Sequence, residues 1–374
     1  MAHGHSSIEI FHSLIPLLFV SDERPDWTVV FVDHLIFDLR KFSGDMLILL
    51  RRFDSTSSDH EIKRDLDSFR GNFNKIVYFD DRASATTKMF NVASLVDVYW
   101  TRAKLRDVSL YSTSHYGGQI FSDYYHKQHG VVDEEVFYSP IGEKQIAADM
   151  KIAWNIGIGA YPTHRKGFLN YHHQKVKKIL TLFSVTGQTF ALRKIIKIYL
   201  RQMEVELSKE INVASKHHKV SARFQSHAYR NSVAYQRVLY EKLAVNNGTF
   251  LTGPVPQSQF LSETGSIKGI LSPFGWGEIC FRDFEAILGG ALLIKADMDH
   301  IETWPNIYTS NSYYPIAWNG SDIESVSDLM VSENFLMHRI ESARQIYKDA
   351  LQNYTVRAVA MIEESFKCHQ EMSL

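Results

Sequence analysis

Cysteine and long apolar runs are scarce in this sequence, and each shortage excludes a class of protein. Only Cys280 and Cys368 are present, and two thiols cannot build the disulfide framework of a small secreted domain. No run of about 18 apolar residues occurs, so we expect no membrane-spanning helix. The first residues lack the basic segment followed by an apolar segment that marks a signal peptide. We therefore expect a cytoplasmic protein.

The sequence also lacks an excess of charge of either sign. Its 41 basic and 42 acidic residues give a formal net charge of −1, so no overall field attracts nucleic acid, and we expect no nucleic-acid partner. Hydrophobic residues make up 45% of the 374 residues, enough for an ordinary globular core. A chain of this length exceeds one ordinary core, which predicts two domains.

Short apolar runs alternate with helical stretches, the pattern typical of parallel α/β sheets. In the first half we predict a solvated helix over Ser58–Phe73 and four buried strands: Thr28–Val32, Met46–Leu50, Lys75–Phe79 and, closing the sheet, Ile152–Ile158. This half is predicted to be one domain, residues 1–210, and Ser215–Lys219 is interpreted as the connection to the next.

The second half is more regular and is predicted to be a second domain, residues 215–345. Its expected strands are Val220–Phe224, Thr249–Val255, Ile267–Pro273, Ala291–Ala296 and Tyr314–Trp318. Its expected helices are Tyr229–Ala244, Pro256–Glu263, Glu278–Leu288 and everything from Asp322 onward. The last helix, residues 346–374, is expected to pack back on the amino-terminal domain.

The most informative segment is Leu271–Glu302, which predicts a strand, a glycine-containing turn, a helix and another strand. Gly275 and Gly277 would let a ligand approach the backbone, and free N–H groups at the helix start favour an anion. Arg282 and Glu285 lie three residues apart, on one helical face. A guanidinium suits a phosphate, and a carboxylate suits ribose hydroxyls. The alternative is a plain surface ion pair on a helix.

This segment resembles the donor-binding core of GT-B glycosyltransferases, especially exostosin-like and related bacterial polysaccharide-biosynthesis enzymes. The matching residues are Ser272-Pro273, Gly275, Arg282-Asp283-Phe284-Glu285-Ala286, Gly289-Gly290 and Leu292–Lys295. The resemblance implies two Rossmann-like domains that face a central cleft, with C-terminal helices. It also implies a nucleotide diphosphate sugar as co-substrate, with no metal and no further cofactor.

The resemblance further assigns roles to residues around the turn. Glu285 would hold the ribose, and Arg282 would face the diphosphate together with the turn. Glu278, the first residue of the predicted helix, is a further donor-binding candidate. The loop Asp297–Glu302, with Asp299 and His300, would lie against the transferred sugar. Many retaining GT-B enzymes have two glutamates with seven residues between them, whereas Glu278 and Glu285 have six. A retaining mechanism is therefore not implied.

Further cations are candidates for the phosphate site. Fixed cations would stabilise the charge that develops on the leaving nucleoside diphosphate without a metal, and the candidates are Arg223, Arg230, Arg237 and Lys295. Solvated surface positions are the alternative for each. A metal-dependent alternative also exists, because Asp297-Met298-Asp299 matches the Asp-x-Asp pattern of GT-A glycosyltransferases.

Attack by an acceptor hydroxyl calls for a general base, expected from the amino-terminal domain across the cleft. Asp81 follows a predicted strand at its carboxyl end, where α/β sites form, while His115 and Asp123 flank a Gly-Gly pair. We name these three residues as candidate bases, in the order His115, Asp81, Asp123. The alternatives are a helix cap for Asp81 and an ordinary loop position for His115.

Residues 150–203 contain ten Lys or Arg and no Asp or Glu. Within them, residues 188–203 form an amphipathic basic helix that could lie on an anionic membrane surface, which would suit a lipid-linked glycan acceptor. The alternative is a helix that packs between domains and keeps its cations in solvent.

The leading hypothesis is a glycosyltransferase that acts on a glycan or lipid-linked glycan. The alternatives are a nucleotide-sugar-binding module without turnover, and an epimerase or phosphorylase on the same scaffold. A Rossmann dehydrogenase is disfavoured, because no G-x-G-x-x-G follows an early strand.

Overall fold

The amino-terminal half of the chain is built on a parallel sheet. The computed structural model describes residues 12–32, 37–159 and 189–367. Four parallel strands pair in the order β1-β2-β3-β5, namely β1 Gly44–Leu50, β2 Phe73–Asp80, β3 Val98–Thr101 and β5 Lys151–Ile152. The predictions of Met46–Leu50 and Lys75–Phe79 as strands are confirmed. The helices of this half are α1 (residues 12–18), α2 Val20–Glu23, α3 Asp59–Arg70, α4 Phe90–Ala93, α5 Ile120–His129 and α6 Lys144–Asp149.

The predicted helix over Ser58–Phe73 is confirmed as α3. Ser58 caps it, because its hydroxyl accepts a hydrogen bond from the Glu61 amide while the Glu61 carboxylate accepts one from the Ser58 amide. The buried side chains Ile62, Leu66 and Phe69 share one face of the helix and cover the sheet.

Two strand predictions in this half are wrong. Thr28–Val32 is irregular, because it gains no neighbouring strand among the described residues, and Val30 stays 57% exposed. Of Ile152–Ile158 only the first residue is in a strand. Beyond it, the Asn155 amide donates to the Thr303 hydroxyl (2.9 Å) and the Pro305 carbonyl (3.0 Å), so this segment binds the other half instead of extending the sheet.

The carboxy-terminal half contains a second parallel sheet, with the strand order β11-β9-β8-β6-β7. Its strands are β6 His217–Ser221, β7 Phe250–Leu251, β8 Ile267–Ser272, β9 Leu292–Ala296 and β11 Tyr314–Ile316. Counted along this half, the order is 2-1-3-4-5, that of a doubly wound α/β fold. The order reverses between β6 and β8, and ligands of such folds bind outside the carboxyl ends at that switch point. The predicted parallel α/β class is therefore confirmed.

The helices of this half mostly follow the prediction, with shifted ends. They are α7 Thr189–Ser208, α8 Asn231–Val245, α9 Gln257–Ser266, α10 Phe281–Leu288, α11 Val326–Leu329 and α12 Glu333–Lys367. Strand β6 begins at His217, inside the segment interpreted as a connection. Helix α10 begins at Phe281, because the Asp283 carboxylate caps it by accepting a hydrogen bond from the Cys280 amide (2.9 Å). Glu278 therefore lies in the turn before the helix.

The two halves meet at the carboxyl ends of their sheets. Strand β4, Ala103–Leu105, follows β3 and pairs antiparallel with β10, Ile301–Thr303, which follows β9. The loops after β2 and β8 also touch, because the Ala85 amide donates to the Glu278 carboxylate at 2.9 Å. The carboxyl ends of the two parallel sheets therefore face one another.

Helices α7 and α12 complete the core. Helix α7 buries a stripe formed by Ile196, Leu200, Met203 and Leu207, whereas its residues Lys194 and Lys197 are exposed. The apolar stripe thus packs inside the protein, as in the domain-packing alternative. Parts of the sequence predictions lie outside the described residues: residues 160–188 of the stretch without Asp or Glu, residues 368–374 of the predicted last helix, and Cys368.

Helix α12 contacts both sheets. The Tyr347 hydroxyl donates to the Gly157 carbonyl (2.6 Å), and the Trp100 indole donates to the Ser365 hydroxyl (3.1 Å), so the carboxyl-terminal part of α12 lies on the amino-terminal half. Within the described ranges, no helix combines the length and apolar character needed to cross a bilayer.

Candidate functional site

The turn after β8 packs on a buried ion pair between Asp283 and Lys295. Asp283, on the first turn of α10, accepts hydrogen bonds from the Ser272 hydroxyl (2.5 Å) and the Tyr308 hydroxyl (2.6 Å) as well as from the Cys280 amide. The Lys295 ammonium lies 3.1 Å from the same carboxylate, and both side chains are fully buried. Lys295, a candidate for phosphate binding, is therefore placed in the core beneath the turn.

Arg282 is the most distinctive side chain of the segment. Its guanidinium lies 5.7 Å from the ring centre of Phe224 and 5.3 Å from that of Phe260. Its Nη1 is shielded from solvent and has no hydrogen-bond partner among the described residues. Burial lowers the pKa of the Arg282 guanidinium, and the nearby Glu285 carboxylate acts in the opposite direction. A sheltered guanidinium with an unused donor is suited to bind an anion.

Arg237 connects the loops after β6 and β8. Its Nε donates to the Phe274 carbonyl (2.7 Å) and its Nη1 to the Gln225 carbonyl (2.9 Å), while Tyr229 lies 4.4 Å below the guanidinium. The charge of Arg237 further lowers the pKa of Arg282, so the two cations are within electrostatic reach of each other. Together with Gly275, which borders Arg237, they occupy the switch point of the sheet.

Two further predicted cations are bound elsewhere. Arg223 forms a two-pronged ion pair with Glu263, at 2.9 and 3.0 Å. Arg230 reaches the amino-terminal half, where it bonds the Gly117 carbonyl, lies 3.6 Å from Asp133 and covers the Phe137 ring. Both arginines therefore have internal partners, and Arg230 joins the two halves.

Gly277 and Glu278 face the amino-terminal half instead of an open surface. A Cβ on Gly277 would lie well under 3.0 Å from the Ala83 carbonyl oxygen, so the two backbones are in direct contact. Glu278 is fully buried, and its Oε2 accepts the Ala85 amide, whereas its Oε1 has no hydrogen-bond partner in the part of the chain that is described. Burial raises the pKa of the Glu278 carboxyl.

The loop after β9 carries the remaining predicted donor residues. Asp299 is exposed; its amide donates to the Asp297 carboxylate (2.9 Å), and its carbonyl accepts from Arg106 Nε (2.9 Å). Both ring nitrogens of His300 are shielded from solvent without a partner among the described residues, and Trp318 meets the ring edge-on at 5.1 Å. Burial lowers the pKa of His300 to about 4, so the imidazole is neutral at physiological pH.

The described residues contain no group of three or more His, Cys, Asp or Glu side chains that could hold a metal ion. Asp297 and Asp299 therefore stand without a third such residue there, and the metal-dependent alternative would need further ligands from water or substrate.

The three candidate bases all have internal partners. Asp81 is fully buried, pairs with Arg51 and accepts a hydrogen bond from the Ser13 hydroxyl (2.8 Å). His115 bonds the Leu110 carbonyl through Nε2 (2.9 Å), and its Nδ1 lies 3.6 Å from Asp123. The Asp123 carboxylate also accepts from Lys127 (2.5 Å) and the Tyr116 amide (3.1 Å). The structure thus brings His115 and Asp123 together and places Asp81 in a separate ion pair.

The sequence interpretation missed a second group of charged residues, on the amino-terminal side of the contact. Arg82 and Arg102 follow β2 and β3, and both carry shielded nitrogens without a hydrogen-bond partner among the described residues. Arg82 could have been found, since it directly follows the predicted strand and the Asp80-Asp81 pair. Arg102 could not, because β3 was not predicted.

A shallow groove lies away from this region, between α7 and α12. Its volume is about 490 Å³, and it is lined by Arg201, Glu204, Val205, Ser208, Lys209, Lys348 and Gln352. None of the predicted donor residues or candidate bases lines it, so it adds nothing to the site at the carboxyl ends of the sheets.

Comparison with known proteins adds no family. No model of a known protein family matches the chain, and no curated protein is significantly similar to it. The resemblance to GT-B glycosyltransferases therefore depends on the sequence of the segment Leu271–Glu302 alone.

Proposed function

We propose that this chain is a metal-independent glycosyltransferase of the GT-B type, which transfers a sugar from a nucleotide diphosphate sugar to a glycan or lipid-linked glycan acceptor. The observation that carries the proposal is the position of Arg282. Its Nη1 has no hydrogen-bond partner among the described residues, and its helix follows the turn at the switch point of a 2-1-3-4-5 sheet, within electrostatic reach of Arg237, where doubly wound folds bind nucleotides. The scarcity of cysteine supports a cytoplasmic location.

The donor would span the turn after β8. Arg282 and Arg237 would hold the diphosphate, and Glu285, one helical turn from Arg282, would hold the ribose. The two guanidiniums would also stabilise the charge on the leaving nucleoside diphosphate. The transferred sugar would reach the loop after β9, where neutral His300 offers one donor and one acceptor to sugar hydroxyls.

The contact between the two sheets supports a GT-B arrangement. In such an arrangement the acceptor approaches from the amino-terminal half, and the carboxyl ends of both sheets border the site. The loops after β2 and β8 meet here through Ala85 and Glu278. His115, next to Asp123, is the proposed base. It would have to leave the Leu110 carbonyl, to which Nε2–H donates, and carry its proton on Nδ1 facing Asp123, so that Nε2 accepts the proton of the acceptor hydroxyl.

A thermal-shift titration tests the donor site. UDP, GDP, TDP and CMP, and their sugars, are titrated with and without EDTA into the wild type, Arg282→Gln and the control Arg64→Gln, which replaces an exposed arginine on α3. We expect one nucleotide to stabilise the wild type and the control equally, with EDTA or without. Loss of a charge-assisted hydrogen bond should weaken its binding to Arg282→Gln about tenfold or more.

Two outcomes would contradict the proposal. Equal nucleotide affinity of Arg282→Gln and wild type would remove Arg282 from the site. A response that disappears with EDTA would favour the GT-A alternative with Asp297 and Asp299.

A nucleotide-sugar-binding module without turnover is the second candidate function. It is favoured by one observation, that Asp81, His115 and Asp123 all have internal partners. Such a module binds the donor but neither hydrolyses nor transfers its sugar. Release of nucleoside diphosphate from the donor that gives the largest thermal shift separates the two functions.

A further inference from the structure

A group of buried charges lies where β2 and β3 end, on the amino-terminal side of the contact between the halves. Lys88 is fully buried, and its ammonium donates to the Ser84 carbonyl (3.2 Å) and the Thr101 hydroxyl (2.8 Å). Arg102 is only 2% exposed, and neither its Nε nor its Nη1 has a hydrogen-bond partner among the described residues. Two buried cations within electrostatic reach of each other thus have, among the described residues, hydrogen bonds only to neutral groups in the case of Lys88 and unpartnered nitrogens in the case of Arg102.

The neighbouring carboxylates do not balance these cations. Asp80 is fully buried and already engaged, because the Tyr99 hydroxyl and the Arg82 amide both donate to it, and the Arg82 guanidinium lies at 3.5 Å. Asp80 is also within electrostatic reach of Lys88, so its one negative charge is shared between Arg82 and Lys88 and does not offset both.

Glu278 is the other carboxylate within electrostatic reach of Lys88 and Arg102. Its Oε2 accepts the Ala85 amide, and its Oε1 is unpartnered within the described ranges. Burial raises the pKa of Glu278, so its negative charge is disfavoured, and burial likewise lowers the pKa of Lys88 to about 8. An uncompensated buried charge is costly, and an anion bound here would remove that cost.

We propose that Arg102 and Lys88 form a binding subsite for an anionic group, a carboxylate or a phosphate, carried by the second substrate. The identification of that substrate as the acceptor rests on the proposed function. Arginine and lysine are the side chains that bind such groups through charge-assisted hydrogen bonds. Glu278 borders the subsite, and Arg282 lies four residues further along the same turn and helix. An anionic acceptor held by Arg102 would therefore meet the donor across this turn.

The experiment must separate this subsite from the proposed donor site, since phosphate could bind at both. Inorganic phosphate and glucuronate are titrated into the full chain carrying Arg282→Gln, which removes one of the two donor-side guanidiniums, and into Arg282→Gln/Arg102→Gln, so that the difference between the two proteins reports Arg102 alone. We expect a saturable thermal shift in the first protein and an affinity at least about tenfold weaker in the second, because a charge-assisted contact is lost. Arg282→Gln/Arg64→Gln is the matched control and should behave as Arg282→Gln.

Two further variants protect the test against misfolding of Arg102→Gln. Arg102→Lys keeps the charge and should retain binding within a few-fold. Glu278→Gln keeps the acceptor for the Ala85 amide but removes the negative charge, and it should tighten anion binding. A stronger response to glucuronate would identify an acidic sugar, whereas a response to phosphate alone would identify a phosphorylated acceptor.

Absence of an anion response in Arg282→Gln, or an equal response after Arg102 is replaced, would overturn the subsite. The proposed function is tested separately, because the nucleotide-induced shift of the single variant Arg102→Gln should match that of the wild type. A negative result for anion binding at Arg102 therefore does not affect the test of nucleotide binding at the donor site, and the reverse also holds.

Discussion

The contact between Gly277 and Ala83 predicts that one methyl group at this position disrupts the junction of the two halves. In Gly277→Ala the new Cβ would lie well under 3.0 Å from the carbonyl oxygen and carbonyl carbon of Ala83, whereas ordinary contacts begin near 3.4 Å. Both obstacles are backbone atoms, so no side-chain rotation relieves the overlap. Overpacking of this kind costs about 1–3 kcal/mol. We expect the free energy of unfolding in urea to fall by about that amount.

Gly275→Ala is the matched control, two residues earlier in the same turn. Its Cβ would meet Arg237 at 3.4 Å, an ordinary contact, and the backbone there is not in the left-handed region. The alanine reduces the freedom of the unfolded chain, so Gly275→Ala should be within about 1 kcal/mol of the wild type, on the stabilising side. Equal unfolding free energies for Gly277→Ala and Gly275→Ala would refute the backbone contact between the halves.

Two further predictions concern buried carboxylates. Asp283→Ala removes the partner of the fully buried Lys295 and should lower the free energy of unfolding in urea by about 3–5 kcal/mol. Lys295→Met should lower it less, because three hydrogen-bond donors still bind the Asp283 carboxylate. A larger loss for Lys295→Met than for Asp283→Ala would contradict this network. Because burial raises the pKa of Glu278, its protonated form stabilises the fold at acid pH, and this stabilisation is lost as pH rises through the raised pKa. The glutamine in Glu278→Gln has no titratable proton, so the unfolding free energy of the variant minus that of the wild type should increase from pH 4 to pH 7. A difference that does not change with pH would show that Glu278 titrates normally.

The fold was predictable from the sequence wherever a strand is long and buried on both faces. Residues 76–79 and 269–272 are continuous runs of apolar or small residues, and both lie in central parallel strands. The prediction failed where tertiary contacts decide. Thr28–Val32 has the composition of a strand but no neighbouring strand to pair with among the described residues. Strands β4 and β10 are three residues each and exist because they pair with one another across the halves, a contact no local pattern encodes.

The site was predictable to a similar extent. The strand, the glycine turn and the Arg-x-x-Glu helix could each be predicted, because each has a local sequence pattern. The turn and the helix lie at the switch point of the sheet. The sequence could not show that Lys295 is used by Asp283 or Arg223 by Glu263, since ion pairs between separate elements depend on the packing of those elements. For the same reason, Arg102 is indistinguishable in the sequence from a solvated arginine.

The turn over residues 275–278 is shared by two surfaces, and this determines how mutations in it should act. On one side Arg237 binds the Phe274 carbonyl. On the other side Gln119 donates to the Trp276 carbonyl (2.6 Å), and Ala85 donates to Glu278. A displacement of the turn moves Arg282 and Glu278 together, because only three residues separate them. Gly277→Ala should therefore weaken nucleotide binding and anion binding alike, whereas Arg282→Gln should weaken only the first. If Gly277→Ala weakened nucleotide binding alone, the turn would not be the common wall of the two proposed sites.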